Sequence, residues 1–245
     1  MDALYEDPAL AAFYDIENPS AASDAVCRDL ARGAGRVLDL GCGTGRLAAS
    51  IASAGGQVVG VDPAAAMLAI ARARPGGDRV DWVAGDARRL RLPTRFELIV
   101  MTGHAFQVFL SAEDRAAVFA TIAAHLAPGG RAVFDSRNPA AGEWRDWTRA
   151  ATEEVIDHPD HGPCRRWNDH EFEPETAICT YSTHYAPLNS AQRFEARSRI
   201  AFPAPDEILG QLRGAGLRPL SLWGDWQRAP FTPESPEIIP LVARD

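Results

Sequence analysis

A short apolar segment that runs straight into a glycine-rich turn is the feature that most constrains the fold of this chain. Residues 36–40 read as a buried strand, Gly41, Gly43 and Gly45 follow, and Leu47 and Ile51 then recur at helical spacing. Strands buried in parallel sheets read as near-continuous apolar runs, and glycines let the backbone turn tightly and approach a ligand. The segment therefore predicts the first strand, turn and helix of a parallel α/β sheet, with a ligand site at the turn.

The alternation of strand and helix continues as far as residue 134. Asp62 and Pro63 follow the second strand, and an Asp N-cap with Pro at the first helical position predicts a helix start there. A helix that starts after Ser111 is predicted to end at Pro128-Gly129-Gly130. The second to fifth strands are expected at 57–61, 80–83, 96–101 and 131–134. Such alternation predicts one domain with a parallel sheet.

The sequence changes in character after residue 139. Residues 140–203 contain alternating stretches typical of antiparallel strands, and a helix with two further strands follows at 206–213, 217–223 and 238–243. We therefore expect an α/β domain over 35–139 and 204–245, interrupted by a β-rich insertion over 140–203 and preceded by a segment over 1–34.

Composition excludes several kinds of function. The 245 residues carry a net charge of −8, and all 25 basic residues are arginine. Without lysine there is no Schiff-base nucleophile, pyridoxal anchor or P-loop lysine. Nucleic acid is an unfavoured main partner because the acidic chain opposes a phosphate backbone.

Compartment and membrane association are also predicted from simple patterns. The four cysteines are scattered without metal-ligand spacing, which suits a reducing compartment. The first residues lack the layout of a signal peptide, and no apolar run approaches the ~20 residues that span a bilayer. We expect a cytoplasmic protein without a membrane partner.

Three acidic residues stand at or near the ends of predicted neighbouring strands. They are Asp39, Asp62 and Asp86, and a carboxylate placed as Asp62 is can hold both hydroxyls of a ribose. A dinucleotide fingerprint needs a third glycine where Arg46 stands, which disfavours a dehydrogenase. Asp62 could instead serve only as a helix cap, and Asp86 only as a turn residue.

Four motifs in this order resemble the class I S-adenosylmethionine (SAM)-dependent methyltransferases, including the small-molecule, glycine N-methyltransferase-like type. They lie at 37–45, 58–63, 85–87 and 126–134. The resemblance implies a Rossmann-like, doubly wound, seven-stranded and mostly parallel sheet, with the insertion after the fifth strand as a substrate lid. It also implies that residues 1–34 are helical and close over the cofactor, SAM, whose product is S-adenosylhomocysteine.

The resemblance also implies roles for individual residues. Asp39, Gly41 and Gly43 would line the methionine moiety, Asp62 would hold the ribose, Met67, Asp86 and Ala87 would contact the adenine, and Thr102 and Gly103 would flank the sulfonium. Cys42, Pro63 and Gly85 complete the predicted cofactor-binding set. Tyr14 resembles tyrosines that close over the cofactor in small-molecule methyltransferases, although packing of an N-terminal helix would explain it too.

Methyl transfer needs the nucleophile, the methyl carbon and the sulfur held in line, and a hydroxyl or ammonium acceptor must also lose a proton. His104, just after the fourth strand, is the best placed base, although it could simply bond a loop. Arg137 could pair a substrate carboxylate or form a structural ion pair. His158, His161 and Cys164 could suggest a metal, but Pro and Gly around them favour a surface loop, so no metal is expected. The tryptophans of the insertion could wall a pocket or only pack.

The preferred function is therefore methyl transfer from SAM to a nitrogen or oxygen of a small molecule. A tRNA- or RNA-modifying methyltransferase and a non-catalytic SAM-binding protein are the alternatives. The sequence leaves the oligomeric state open, with a homodimer as one option.

Overall fold

The computed structural model describes residues 3–18 and 22–245, and these residues form helices, strands and a few 3-10 turns. The helices are α1 (Ala3–Glu6), α2 (Pro8–Glu17), α3 (Ala22–Ala31), α4 (Arg46–Ser53), α5 (Ala65–Ala73), α6 (Ala112–His125), α7 (Arg149–Thr152) and α8 (Pro205–Gly214). The strands are β1 (Arg36–Leu40), β2 (Gln57–Asp62), β3 (Val80–Ala84), β4 (Phe96–Met101), β5 (Leu126–Phe134), β6 (Ser136–Arg137), β7 (Glu154–His158), β8 (Gly162–Glu173), β9 (Ile178–Pro187), β10 (Phe194–Ala201), β11 (Leu217–Trp223) and β12 (Glu237–Arg244).

The central sheet has the order β11-β12-β5-β4-β1-β2-β3, with the two-residue β6 paired to β12 beside this path. Neighbouring strands pair in parallel across the part β5-β4-β1-β2-β3, whereas β12 runs antiparallel to both β5 and β11. The prediction of a doubly wound, seven-stranded and mostly parallel sheet is confirmed. The chain order reverses between β1 and β4, which is where α/β sheets of this kind bind ligands.

Both faces of the central sheet are apolar, as a parallel sheet covered by helices requires. Leu38 and Leu40 of β1 pack in one core cluster with Phe119 and Ile122 of α6, while Val37 packs in a second cluster. Alternate residues of a strand point to opposite faces, so one short strand contributes to both cores.

Two helix boundaries differ from the prediction. Asp62 is not the N-cap of α5: it is the last residue of β2, and Ala64 occupies the cap position. Helix α6 ends at His125 rather than at residues 128–130, because Leu126 is already extended and pairs with Phe96. The residue before a proline avoids the helical conformation, which explains why the helix ends ahead of Pro128.

The residues between β6 and α8 form a separate four-stranded antiparallel sheet in the order β10-β9-β8-β7. One end of its inner face packs on α2, where the Phe13 ring stacks on Tyr185 with centroids 4.0 Å apart. At the other end Trp144 stacks on Phe172 at 4.1 Å. Helix α2 therefore lies between the insertion sheet and the central domain.

Across 3–18 and 22–245, no helix has both the length and the apolar character that crossing a membrane requires.

Gly45 fixes how closely α4 approaches the sheet. Its φ of +74° is left-handed, and a Cβ there would lie 2.3 Å from the Trp82 ring and 2.8 Å from the Ala71 Cβ. The Trp82 ring is held in place because its indole N–H donates to the Gly77 carbonyl at 2.8 Å. A side chain at residue 45 would therefore have to displace a tethered ring.

We expect Gly45→Ala to lower the free energy of unfolding by about 2–5 kcal/mol, from the left-handed backbone and overpacking together. Gly33→Ala is the matched control, since Gly33 has a φ of +79° but open space around the added Cβ. It should cost only about 1–2 kcal/mol. Urea unfolding of both variants measures the difference, and equal costs would contradict the steric argument.

Candidate functional site

A cavity of about 260 Å³ lies at the carboxyl ends of β1 and β4, under α2. The described residues that line it come from α2, the start of α3, the glycine turn and the residues after β4. They are Tyr14, Glu17, Asn18, Ser23, Asp24, Asp39, Gly41, Cys42, Thr44, Arg46, Leu47, Thr102 and Gly103. The cavity therefore brings together six predicted site residues: Tyr14, Asp39, Gly41, Cys42, Thr102 and Gly103.

The glycine turn is held open toward this cavity by backbone hydrogen bonds. The N–H groups of Gly41 and Cys42 both donate to the Val61 carbonyl of β2, at 2.8 and 3.0 Å. Gly41 has a φ of +79°, and a Cβ there would lie 3.0 Å from the Ala105 Cβ. The turn therefore needs glycine both for its conformation and for its approach to the segment after β4.

Two buried carboxylates stand at the ends of the adjacent strands β1 and β2. Burial, followed by the charge of Asp62, raises the pKa of Asp39 to about 7. Asp62 accepts the Gly43 N–H with Oδ2 and the Ala64 N–H with Oδ1, each at 2.9 Å. Burial also raises the pKa of Asp62. Each Asp62 oxygen keeps a second lone pair, so the carboxylate can still accept two hydroxyl donors.

Tyr14 covers the glycine turn from above. A Cβ at Gly43 would lie 3.9 Å from the Tyr14 ring, and one at Gly103 would lie 3.7 Å from its hydroxyl oxygen. Burial is the main cause that raises the pKa of Tyr14 to about 12. The phenol is therefore protonated near neutral pH and can donate a hydrogen bond, but it is a poor base.

Three polar contacts at or beside the cavity could not be predicted from the sequence. Asp15 accepts from the Thr44 hydroxyl at 2.5 Å and also pairs with Arg74, which ties α2 to the glycine turn. Arg46 pairs with the buried Asp24. These partners are 22 to 59 residues apart, and no motif in the sequence signals them.

His104 lies beside the cavity rather than in its wall. It has a left-handed φ of 59°, and its backbone N–H donates to Asp135 at 2.9 Å. Its Nε2 lies 2.9 Å from Oε1 of Glu237 on β12, 133 residues away in the chain. Burial, the largest cause, raises the pKa of Asp135. The backbone of His104 is thus held by the residue after β5, and its ring is held by the first residue of β12.

Arg137 is engaged by its own neighbours. Its Nε lies 3.1 Å from both Glu143 oxygens, and its Nη1 lies 3.1 Å from the Gln107 Oε1. The guanidinium also lies 5.1 Å from the centre of the Trp147 ring. Arg137 thus forms a structural ion pair with Glu143, which is one of the two roles considered for it from the sequence. A substrate carboxylate that bound Arg137 would have to replace Glu143.

The predicted adenine residues lie outside the cavity wall. Asp86 follows β3, and its carboxylate pairs with Arg88, which lowers the pKa of Asp86. Ala87 is buried in the main core, and the Gly85 N–H donates to the Asp62 carbonyl at 3.1 Å. Met67 is fully buried in a cluster that Tyr14 packs against. Pro63, next to Asp62, is exposed.

The aromatic and histidine residues of the insertion are used in packing. The His158 and His161 rings lie 4.3 and 6.1 Å from the Phe13 ring, and Cys164 belongs to the same buried cluster. Trp167 stacks on His184 at 4.9 Å.

Asp39 makes the stability of the domain depend on pH. Its raised pKa means that the folded state retains a proton that the unfolded state releases between pH ~4 and pH 7. The contribution of Asp39 to stability is therefore fully present below pH ~4 and is lost as the pH rises through about 7.

We expect the free energy of unfolding of Asp39→Asn, measured in urea at pH 8, to exceed that of the wild type by on the order of 1–4 kcal/mol. The gain should shrink as the pH falls, because the wild-type carboxyl becomes protonated. Asp81→Asn, an exposed position on β3, is the control. A gain that does not change with pH would contradict the assignment.

Comparison with known proteins adds independent findings. Residues 37–130 match the model of a methyltransferase domain family. A cypemycin N-terminal methyltransferase from Streptomyces sp. is 38% identical over 104 residues, which are 42% of each chain. A ubiquinone biosynthesis O-methyltransferase from Bradyrhizobium sp. is 34% identical over 125 residues, 47% of this chain and 48% of the relative. The chain thus spans less than half the length of these relatives.

Solved structures match over nearly the whole chain. The CcbJ methyltransferase from Streptomyces caelestis has a TM-score of 0.77 at 21% identity, covering 95% of this chain and 96% of its own. SAM-bound CalS10, an amino pentose methyltransferase from Micromonospora echinaspora, has a TM-score of 0.72 at 20% identity and covers 97% of both chains. These TM-scores, over nearly the whole of each chain, establish a shared fold.

Proposed function

We propose that this chain transfers the methyl group of SAM to a nitrogen or oxygen of a small molecule, since residues 37–130 match the model of a methyltransferase domain and the fold matches that of solved methyltransferases. The observation that carries this proposal is that Asp39 and the glycine turn line the cavity beneath Tyr14, while Asp62 accepts the Gly43 N–H of the same turn. The two carboxylates, at the carboxyl ends of β1 and β2, offer hydrogen-bond acceptors for the hydroxyls of a ribose and for an ammonium group.

The polar groups at and beside the cavity match those of the ribose and the amino-acid part of SAM. Asp62 has lone pairs for the ribose hydroxyls, and Asp39 lines the cavity where an ammonium would neutralise a buried carboxylate. Arg46 lines the same cavity and offers a guanidinium for the amino-acid carboxylate. The other predicted positions complete the proposed set: Gly41, Cys42 and Gly43 at the methionine moiety, Pro63 at the ribose, Met67, Gly85, Asp86 and Ala87 at the adenine, and Thr102 and Gly103 at the sulfonium.

SAM supplies an electrophilic methyl group on a sulfonium. The protein then needs to align the acceptor and to receive one proton. With the His104 Nε2 donating to Glu237, Nδ1 keeps the lone pair that can take that proton. The protonated Tyr14 hydroxyl, next to Gly103, would orient the acceptor by donating a hydrogen bond.

The surrounding segments would close the site. We assign the described part of the segment 1–34 (3–18 and 22–34) to closure over the cofactor, 35–139 and 204–245 to the SAM-binding domain, and 140–203 to a lid over the acceptor. Residues 1–2 and 19–21 of the predicted segment lie outside the described residues. Arg137 lies at the boundary between domain and lid, where it would bind a carboxylate on those acceptors that carry one.

The similar proteins support a small acceptor, since one is described as an amino pentose methyltransferase and another as a cypemycin N-terminal methyltransferase. The net charge of −8 opposes an RNA substrate. The four cysteines are free thiols, which is consistent with the proposed cytoplasmic location. Light scattering would distinguish a monomer from a homodimer.

Titration calorimetry with S-adenosylhomocysteine tests the cofactor site. We expect wild-type binding and a loss of about 10–100-fold in Asp62→Ala, because charge-assisted hydrogen bonds to the ribose are removed. Asp81→Ala, an exposed carboxylate on the neighbouring strand, should bind like the wild type. Absence of wild-type binding, or equal binding by all three proteins, would refute the assigned site.

Acceptors found by a coupled S-adenosylhomocysteine-release screen allow a test of His104. His104→Gln should lower kcat by ~10²–10⁴-fold if the ring takes the proton. Glu237→Gln should lower kcat by less, since it only loosens the ring, and neither change should alter S-adenosylhomocysteine affinity. An unchanged kcat in His104→Gln would show that His104 is a structural residue.

A further inference from the structure

The wall of the cavity opposite the glycine turn contains a carboxylate that the proposed cofactor site does not use. Glu17 is the last residue of α2, one turn after Tyr14, and it lines the cavity. Its side chain is only 12% exposed. A carboxylate this deeply buried is costly unless a counter-charge or hydrogen bonds compensate it.

Two residues of the insertion sheet hold Glu17 in this position. Oε1 accepts from Arg166 Nε on β8, and Oε2 accepts from the Tyr185 hydroxyl on β9 at 2.9 Å. Burial and the adjacent Glu17 charge raise the pKa of Tyr185, which keeps the phenol as a donor. Glu17 is therefore the place where the lid contacts the cavity wall.

The positive charge beside Glu17 is shared with a second carboxylate. Arg166 also lies 3.6 Å from Glu154 on β7, which is 59% exposed. Within the described ranges, Arg166 is the cation within ion-pair distance of Glu17. Two carboxylates therefore share one guanidinium, and the less exposed of the two is the one at the cavity.

Methyl transfer to an amine moves a positive charge from sulfur to nitrogen. The bond between the methyl carbon and sulfur breaks as the bond to nitrogen forms, so the sulfonium becomes a neutral thioether and the nitrogen becomes an ammonium. A fixed, poorly solvated carboxylate beside that nitrogen stabilises the charge as it develops. After proton loss, an alcohol acceptor gives a neutral ether and gains little from it.

Resting on the proposed function, we propose that Glu17 is the acceptor-recognition residue of this site and that the acceptor is an amine whose nitrogen lies between Tyr14 and Glu17. Helix α2 would then supply both a hydroxyl donor and a counter-charge for the nitrogen. Arg166 and Tyr185 act as positioning residues for that carboxylate.

The experiment compares Glu17→Gln with Glu154→Gln, which removes the other carboxylate on the same arginine. Acceptors are aliphatic and sugar-ring amines, each paired with the alcohol in which a hydroxyl replaces the amine, and methyl transfer is followed by mass spectrometry. We expect the amines to exceed the paired alcohols in kcat/KM. Glu17→Gln should lower kcat/KM for amines at least tenfold, with partial recovery in Glu17→Asp, while Glu154→Gln stays within twofold.

Binding of S-adenosylhomocysteine tests the proposed function separately from the role of Glu17. A wild type that does not bind it refutes the proposed function itself. If binding is normal, three results would each overturn the role of Glu17. The first is that alcohols are methylated as well as amines, and the second is that no amine is methylated. The third is that Glu17→Gln has the same kcat/KM for amines as the wild type. A Glu17→Gln protein that loses affinity for SAM or S-adenosylhomocysteine would place Glu17 at the cofactor instead, and would overturn the proposal as well.

Discussion

The two hydrogen bonds accepted by Asp62 hold the site together. One oxygen binds the N–H of Gly43 in the turn after β1, and the other binds the N–H of Ala64 just before α5. The carboxylate thus joins two adjacent crossovers of the sheet at the edge where ligands bind. Its cost is that Asp62 lies buried close enough to Asp39 for the two charges to repel. A ligand that donates hydrogen bonds or a positive charge here relieves that repulsion.

The central sheet could be predicted from sequence because its signals are local. Apolar strands, glycine turns and capping residues each act within a few positions, and they predicted a parallel α/β sheet with a β-rich insertion after the fifth strand. The doubly wound arrangement of seven strands was implied by the family resemblance. The two errors at Asp62 and His125 also have local causes. An Asp side chain can bond a nearby N–H without being the helix cap, and extended pairing of Leu126 with Phe96 overrides a later Pro-Gly stop signal.

The candidate site could be predicted only in part. Asp39, Gly41 and Thr102 end strands that neighbour each other, so topology brings them together at one cavity. The pairs His104 with Glu237 and Glu17 with Arg166 join positions 133 and 149 residues apart. Such pairs depend on how β12 and the insertion sheet pack against the rest of the domain. No sequence pattern near either partner predicts that packing. The engagement of Arg137 by Glu143 was likewise visible only as one of two alternatives.

Helix α2 is fastened on two sides by residues only two positions apart. Asp15 binds Thr44 and Arg74 of the central domain, whereas Glu17 binds Arg166 and Tyr185 of the insertion sheet. Any displacement of α2 that widens the cavity therefore has to alter its contacts with the central domain and with the insertion sheet together. The helix thus couples the central domain mechanically to the insertion sheet.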